Sequence, residues 1–290
     1  MATNIPFGQR LGLVLEGGAM RGIYTAGVLD VFLEAGIMPD VVVGVSAGAL
    51  HGCSYVAGQK GRSIRYYRKY RNDKHFMGLY SLLTTGDVVG TKFCYEDIPL
   101  RLDPFNEAAF EKAPVDFYVT VTNVRTGKPE YILCDELKVG SKMDVIRAGA
   151  SMPLCSKMVE WNGNLYLDGG VSDSIPYAKM KDFGCRKSIV VLTQPAGYLK
   201  QPAAMAPFEA MYRKYPAFVE AMRGRDQMYN TEVCAVEQAA KQGDVFLIRP
   251  SKLLHVGRME HDIEVLNAQY ELGRQDARNQ MDAMREWMER

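Results

Sequence analysis

Three short segments carry residue types suited to acyl-ester chemistry. The first is Gly44-Val45-Ser46-Ala47-Gly48. It follows the β-branched run Val41-Val42-Val43 and precedes a helix-forming stretch from Ala47 to about Ala57. A serine on a sharp strand-to-helix turn projects its hydroxyl clear of the sheet. Glycines at Gly44 and Gly48 let other backbone pass close by without a Cβ in the way. The following helix aims its positive end and unbonded amides at the reacting centre. The plainer alternative is a turn in which Ser46 only caps the helix.

The second segment is Glu16-Gly17-Gly18-Ala19-Met20-Arg21-Gly22. Ester hydrolysis builds a tetrahedral oxyanion, and backbone amides at a glycine turn are suitable donors for it. If the strands before the two turns lie parallel, both turns emerge at the same end of the sheet. A nucleotide-binding reading fits poorly. Ala19 stands at the middle glycine of GxGxxG, Ser46 rather than an acid follows the second strand, and GxxxxGK[ST] is absent.

A serine nucleophile needs a base. Four histidines are available: His51, His75, His255 and His261. His51 is five residues beyond Ser46, which turns it away around the helix. His75 falls in an irregular region. His255 and His261 follow an aspartate in the order Ser, Asp, His, but His255 comes after Ser251-Lys252-Leu253-Leu254 and His261 begins the terminal helix among Glu260, Asp262 and Glu264, so both read equally well as surface residues. The third segment, Asp168-Gly169-Gly170 after Leu165-Tyr166-Leu167, is the stronger candidate. Two glycines let backbone approach the carboxylate, and burial raises carboxylate basicity. Its bland alternative is an Asp-Gly hairpin turn.

The elements that must hold these segments read as α/β. Leu11 to Leu15 is a short buried strand, Ile23 to Glu34 a helix closed by Gly36, and Val41 to Val43 a second strand. Such a strand, turn, helix, strand unit predicts parallel pairing. Further strands are expected at 117–122, 131–134, 165–167, 188–192 and 245–248, and a helix at 145–150. Residues 60–114 mix tyrosine with Arg and Lys without a clean period, which suggests irregular helices capping a pocket. Near the C-terminus, Ile263, Leu266, Tyr270, Ala277, Met281, Met284 and Met288 fall at helical steps, with one longer gap across Gly273. The expected organisation is a hydrolase domain over 10–195 and a helical extension over 196–290 packed on it.

The chain has 290 residues, 47% hydrophobic and 24% charged, with formal net charge +1. That is enough to bury a core, and it gives no field pointing to nucleic acid. Six cysteines without a CxxC pair read as reduced thiols, and no histidine has metal-ligand spacing, so neither metal nor cofactor is expected. MATNIPFGQR does not read as a signal peptide, and no run reaches membrane-spanning length. The expectation is a soluble, cytoplasmic protein of undetermined oligomeric state, with transient membrane-surface contact as an option. Met205 to Arg225, rich in Met, aromatics and cations, reads either as a bilayer-docking segment or as one used for packing or a dimer contact. Tyr66 to Arg71 raises the same question.

Taken together, the three motifs resemble the patatin-like phospholipase family. The likeness lies in the glycine turn ending Arg21-Gly22, the GxSxG around Ser46, the Asp-Gly-Gly at Asp168, and also Ala150-Ser151-Met152-Pro153 and Gly170 to Pro176. It covers roughly residues 10 to 195, and the later helices look similar to an extension found in a bacterial branch. The resemblance implies a three-layer α/β/α sandwich with a mainly parallel sheet, related to cytosolic phospholipase A2. It implies hydrolysis of acyl lipids or simple esters by a Ser-Asp dyad without metal: Ser46 the nucleophile, Asp168 the base, and Gly17, Gly18 and the Ala19 amide the oxyanion turn, braced by Arg21. One departure is Ala19, where the family usually has a third glycine. The alternatives are a Ser-Asp-His triad esterase and a lipid-binding protein without activity.

Overall fold

A computed structural model describes residues 8–290 of the chain. Most of the N-terminal stretch read as lacking a leader, residues 1–7, lies outside the described residues. The first unit is β1 (Arg10–Leu15), α1 (Ile23–Ala35), β2 (Val41–Val45) and α2 (Ala47–Val56). Then come α3 (Arg62–Tyr70), α4 (Leu79–Thr85), a π-helical segment (Phe93–Leu102) and α5 (Glu107–Lys112). The hairpin β3 (Asp116–Asn123) and β4 (Pro129–Leu133) leads to α6 (Met143–Gly149), β5 (Val159–Trp161) and β6 (Asn164–Asp168). The chain closes with β7 (Cys185–Val191), α7 (Ala206–Met211), α8 (Pro216–Arg223), α9 (Arg225–Gln242), β8 (Val245–Ile248), α10 (Ile263–Asn279) and α11 (Met281–Glu289).

The strands form one sheet in the order β5-β6-β3-β2-β1-β7-β8, with β4 also on β3. From β3 to β8 every neighbour is parallel. Alternate residues feed opposite faces, as a doubly covered sheet requires. Leu13 and Leu15 of β1 join a core with α1, α2 and α6, while Val14 joins one with α9. The result is a three-layer α/β/α sandwich with a mainly parallel sheet.

β3 carries the arrangement that matters for the site. Its residues 116–120 pair with β2 and residues 118–122 with β4, so those two lie on opposite flanks. β6 pairs antiparallel with Val121, Thr122 and Asn123. Since β4 already occupies Val121 and Thr122 on its flank, β6 lies on the β2 flank, beyond the end of β2. The C-terminal ends of β2 and β6 therefore meet head-on.

The chain after residue 195 shares this framework. β8 extends the sheet beside β7. α10 crosses α1 where Gly27 and Gly273 interlock: a Cβ on Gly27 would lie 2.1 Å from the Tyr270 carbonyl oxygen, and one on Gly273 2.1 Å from that of Tyr24. The gap in the apolar spacing at Gly273 is thus a backbone-to-backbone crossing. The helix expected from Ile263 onward is interrupted at Gln280, between α10 and α11. The aromatic and methionine stripe of 205–225 turns largely inward: Tyr212, Phe218 and Met222 are buried against Val124, Leu167 and Val171. Tyr66, Tyr67 and Tyr70 are buried as well.

Candidate active site

Ser46 stands between the end of β2 and the start of α2 with φ 53° and ψ −122°. Positive φ is costly for a residue with a Cβ, on the order of 1–3 kcal/mol, and persists only where the surroundings impose it. The imposition is visible. Gly44 lies against Ala49, and Gly48 against the Leu15 carbonyl, so the turn is clamped on both sides of the serine. Gly17 passes so near that a Cβ there would lie 2.8 Å from the Ser46 Cβ.

Asp168 ends β6 and caps the following 3-10 turn, Gly169–Val171. The head-on strands bring it to the serine: the Ser46 hydroxyl donates to Asp168 Oδ2 at 2.6 Å. The Gly170 amide donates to Oδ1 at 2.8 Å, and the Thr122 hydroxyl donates to the Asp168 carbonyl at 2.8 Å. Both side chains are buried, at 8% and 6% exposure, yet Ser46 opens on a cavity. Burial raises the Asp168 pKa above the usual carboxylate range; the Ser46 and Gly170 hydrogen bonds and the charges of Arg225 and Lys200 oppose the rise. Arg225 is anchored beside it, its Nε donating to the Gly170 carbonyl at 2.5 Å.

The glycine turn lies alongside. The Gly17 and Gly18 amides donate to no group among the described residues. Ala47 opens α2, ahead of the helix's first bonds, those from the Ala49 and Leu50 amides to the Ser46 carbonyl. Ala19 takes φ 48°, a conformation that favours glycine. Met20 and Gly22 are buried in the short 3-10 helix that follows, and Arg21 keeps its Nε buried without a partner. Beneath the turn, Glu16 accepts from the Thr193 amide at 2.6 Å and from the Tyr229 hydroxyl at 3.0 Å. Thr193 also donates its hydroxyl to the Gly17 carbonyl at 2.9 Å.

None of the four histidines bonds Ser46 or Asp168. His51 is buried beside Ser63, and burial pushes its pKa down to about 3. His75 is exposed and pairs with Asp73, and His255 and His261 are exposed. Sequence reasoning missed Glu16, Thr193, Lys200, Arg225 and Tyr229. Only Glu16 carried a signal, a charge closing an apolar strand.

The cavity runs from Ser46 and Ala19 between Met20, Leu50, Tyr67, Phe76, Ile98 and Met152, with about 920 Å³ of space including its mouth. Its outer wall is the region 62–105. An apolar slot ending at a serine suits an acyl chain.

A three-layer α/β fold with a buried Ser-Asp pair at a glycine turn defines a class, and the comparisons place the chain within it. The patatin-like phospholipase family model matches residues 13–180, and the chain belongs to that family. A domain family of unknown function, DUF6363, matches residues 215–289. An uncharacterized protein of Escherichia coli, YjjU, is 28% identical, over 91% of this chain and 75% of its own. Lysophospholipase nte1 of Aspergillus terreus is 30% identical over 61% of this chain, which spans only 11% of that much longer protein. The crystal structure of VipD from Legionella pneumophila aligns with 96% of this chain and 67% of its own at a TM-score of 0.46 and 13% identity.

Proposed function

We propose that the protein is an acyl-ester hydrolase that cleaves acyl lipids through a covalent acyl-Ser46. The observation that carries this reading is the 2.6 Å hydrogen bond from the Ser46 hydroxyl to a buried Asp168. An ionised, desolvated carboxylate is a stronger base than one in water, and here it already accepts a hydrogen bond through the proton it must take.

Ser46 Oγ attacks the ester carbonyl carbon while its proton passes to Asp168 Oδ2. The carbonyl oxygen becomes an oxyanion and accepts from amides of the Gly17-Gly18-Ala19 turn and the start of α2. Collapse expels the alcohol, which leaves with the proton from Asp168. Water then gives a proton to Asp168 and attacks the acyl-serine. Release of the fatty acid returns the proton to Ser46. The acyl chain occupies the apolar cavity throughout. The charges of Arg225 and Lys200 act on Asp168 in the direction that favours its ionised form.

The test is labelling with a fluorophosphonate followed by peptide mapping. Modification confined to Ser46, abolished in Ser46→Ala and strongly slowed in Asp168→Asn, is the expected result. An unlabelled Ser46 in folded protein would sink the reading and leave a lipid-binding protein on this fold.

A further inference from the structure

One helix, α4, leaves an apolar face uncovered. Its sequence, Leu-Tyr-Ser-Leu-Leu-Thr-Thr, holds no charge, and it exposes Leu79 by 70%, Leu83 by 77%, Tyr80 by 41% and Leu82 by 38%. Elsewhere among the described residues, Leu100 and Leu102 form one exposed pair two positions apart, and Leu199, Met211, Leu253 and Met259 lie six positions or more from one another in sequence. Single exposed leucines are ordinary, whereas four large apolar residues within five positions form a patch.

The position of the patch gives it meaning. α4 sits in an excursion of the chain closed at its base by a bridge between Met77 and Val89. Both residues line the cavity that ends at Ser46. Tyr80 packs edge-on against His75, which stacks on Phe93 of the π-helical segment. Any surface receiving α4 therefore lies against that part of the cavity wall.

The electrostatics select the occupant. Residues 60–103 hold nine Lys and Arg against five Asp and Glu, a local +4 in a chain of net +1. Exposed Lys74 and Lys92 flank the helix in sequence, and Lys157 donates to the Thr85 carbonyl at its C-terminal end. Lys74 Nζ lies 4.6 Å from the Tyr80 ring centroid and Lys157 Nζ bonds the Thr85 carbonyl, so ammonium groups stand near both ends of the apolar helix, a pattern that matches a bilayer of anionic phospholipid.

We infer that α4 is the lipid-docking element: it inserts Leu79, Tyr80, Leu82 and Leu83 into an anionic phospholipid surface and sets the cavity entrance at the headgroup level. The inference rests on the proposed hydrolase function for its purpose but is read out independently of it. Ser46→Ala protein, unable to consume the lipid, is sedimented with vesicles of phosphatidylcholine alone or mixed with phosphatidylglycerol. Binding is expected to favour the mixed vesicles. Leu79→Ser with Leu83→Ser is expected to lower partitioning about tenfold through lost apolar burial. Lys74→Glu with Lys92→Glu is expected to remove the preference for anionic lipid. With Ser46 intact, the leucine pair should hydrolyse a short soluble p-nitrophenyl ester at the unchanged rate, which also shows that the fold is sound. Undiminished vesicle binding by the leucine pair, or no vesicle binding by the parent, overturns the inference. So does a shift from dimer to monomer on changing the leucines, because the patch would then face a second copy. Failure to hydrolyse any ester would refute the hydrolase reading and leave the vesicle result standing alone.

Discussion

Val45 and Asp168 pair with consecutive residues of β3, Thr120 and Val121, from strands running in opposite directions. Ser46, one residue past Val45, thereby faces the carboxylate that ends the opposing strand. The pair is fixed by backbone register, not by side-chain reach.

Removing either side chain should therefore cost activity without costing the fold. Ser46→Ala and Asp168→Asn are each expected to reduce kcat/KM on soluble esters by about 10⁴-fold, in line with residues that act as a unit. The changes His51→Ala, His255→Ala and His261→Ala should leave the chemistry in place. Loss of turnover in a folded His255 or His261 variant would point to a triad instead.

Backbone strain at Ser46 gives a second expectation. At φ 53° a glycine is relaxed where serine is not. Ser46→Gly should be inactive yet more stable than Ser46→Ala by about 1 kcal/mol, read as a denaturant midpoint at constant m-value.

The acid limb of the activity profile should lie above the ordinary carboxylate value of about 4, because Asp168 must be ionised to accept the proton and burial raises its pKa. Activity should fall as pH drops through that raised value. Stability follows the opposite sense. Asp168, Glu16, Asp173 and Glu232 are all raised by burial, Glu232 to about 9, so the folded state holds protons that the unfolded chain releases near pH 4. Their stabilising contribution is complete below the unfolded values and is lost as pH rises toward the folded ones. Glu232→Gln, which mimics the protonated form, should flatten the decline in melting temperature between pH 5 and pH 9.

The Tyr229 hydroxyl supports a carboxylate under the glycine turn. Tyr229→Phe leaves Glu16 Oε1 short of a donor and should destabilise the protein by about 1–3 kcal/mol. The fluorophosphonate reaction at Ser46 should also slow, since Glu16 precedes the proposed oxyanion turn. An unchanged labelling rate would mean that the turn holds its shape alone.

At the α1 and α10 crossing, Gly273→Ala puts a methyl group into the Tyr24 carbonyl. A loss of about 3 kcal/mol is expected, measured by chemical denaturation.

The local parts of the site were legible in the chain, and the long-range part was not. Val41 to Gly48 and Leu11 to Gly18 announce strand and turn because apolar runs stop at glycines. The meeting of Ser46 with Asp168 depends on β6 sharing a flank of β3 with β2, which no local pattern encodes. The region 62–105 resisted reading for another reason. Arg62 is buried with its guanidinium over Tyr66 and Phe105, so a cation occupies an inward position. Pro99 within a π-helical segment erases the 3.6-residue period. The stripe at 205–225 looked amphipathic, but its large aromatics were needed inside, and the exposed apolar helix proved to be α4.

The head-on junction of β2 and β6 also predicts an order in time, which refolding kinetics would test. The serine turn is built from neighbours in sequence, but the partner carboxylate lies 122 residues away. Closing so long a loop costs entropy before strand pairing returns any. A partly folded chain can thus carry a finished nucleophile turn with no base beside it. Regain of turnover after dilution from denaturant is then a clock for the β3 and β6 seam, running behind the helical signal that marks earlier assembly.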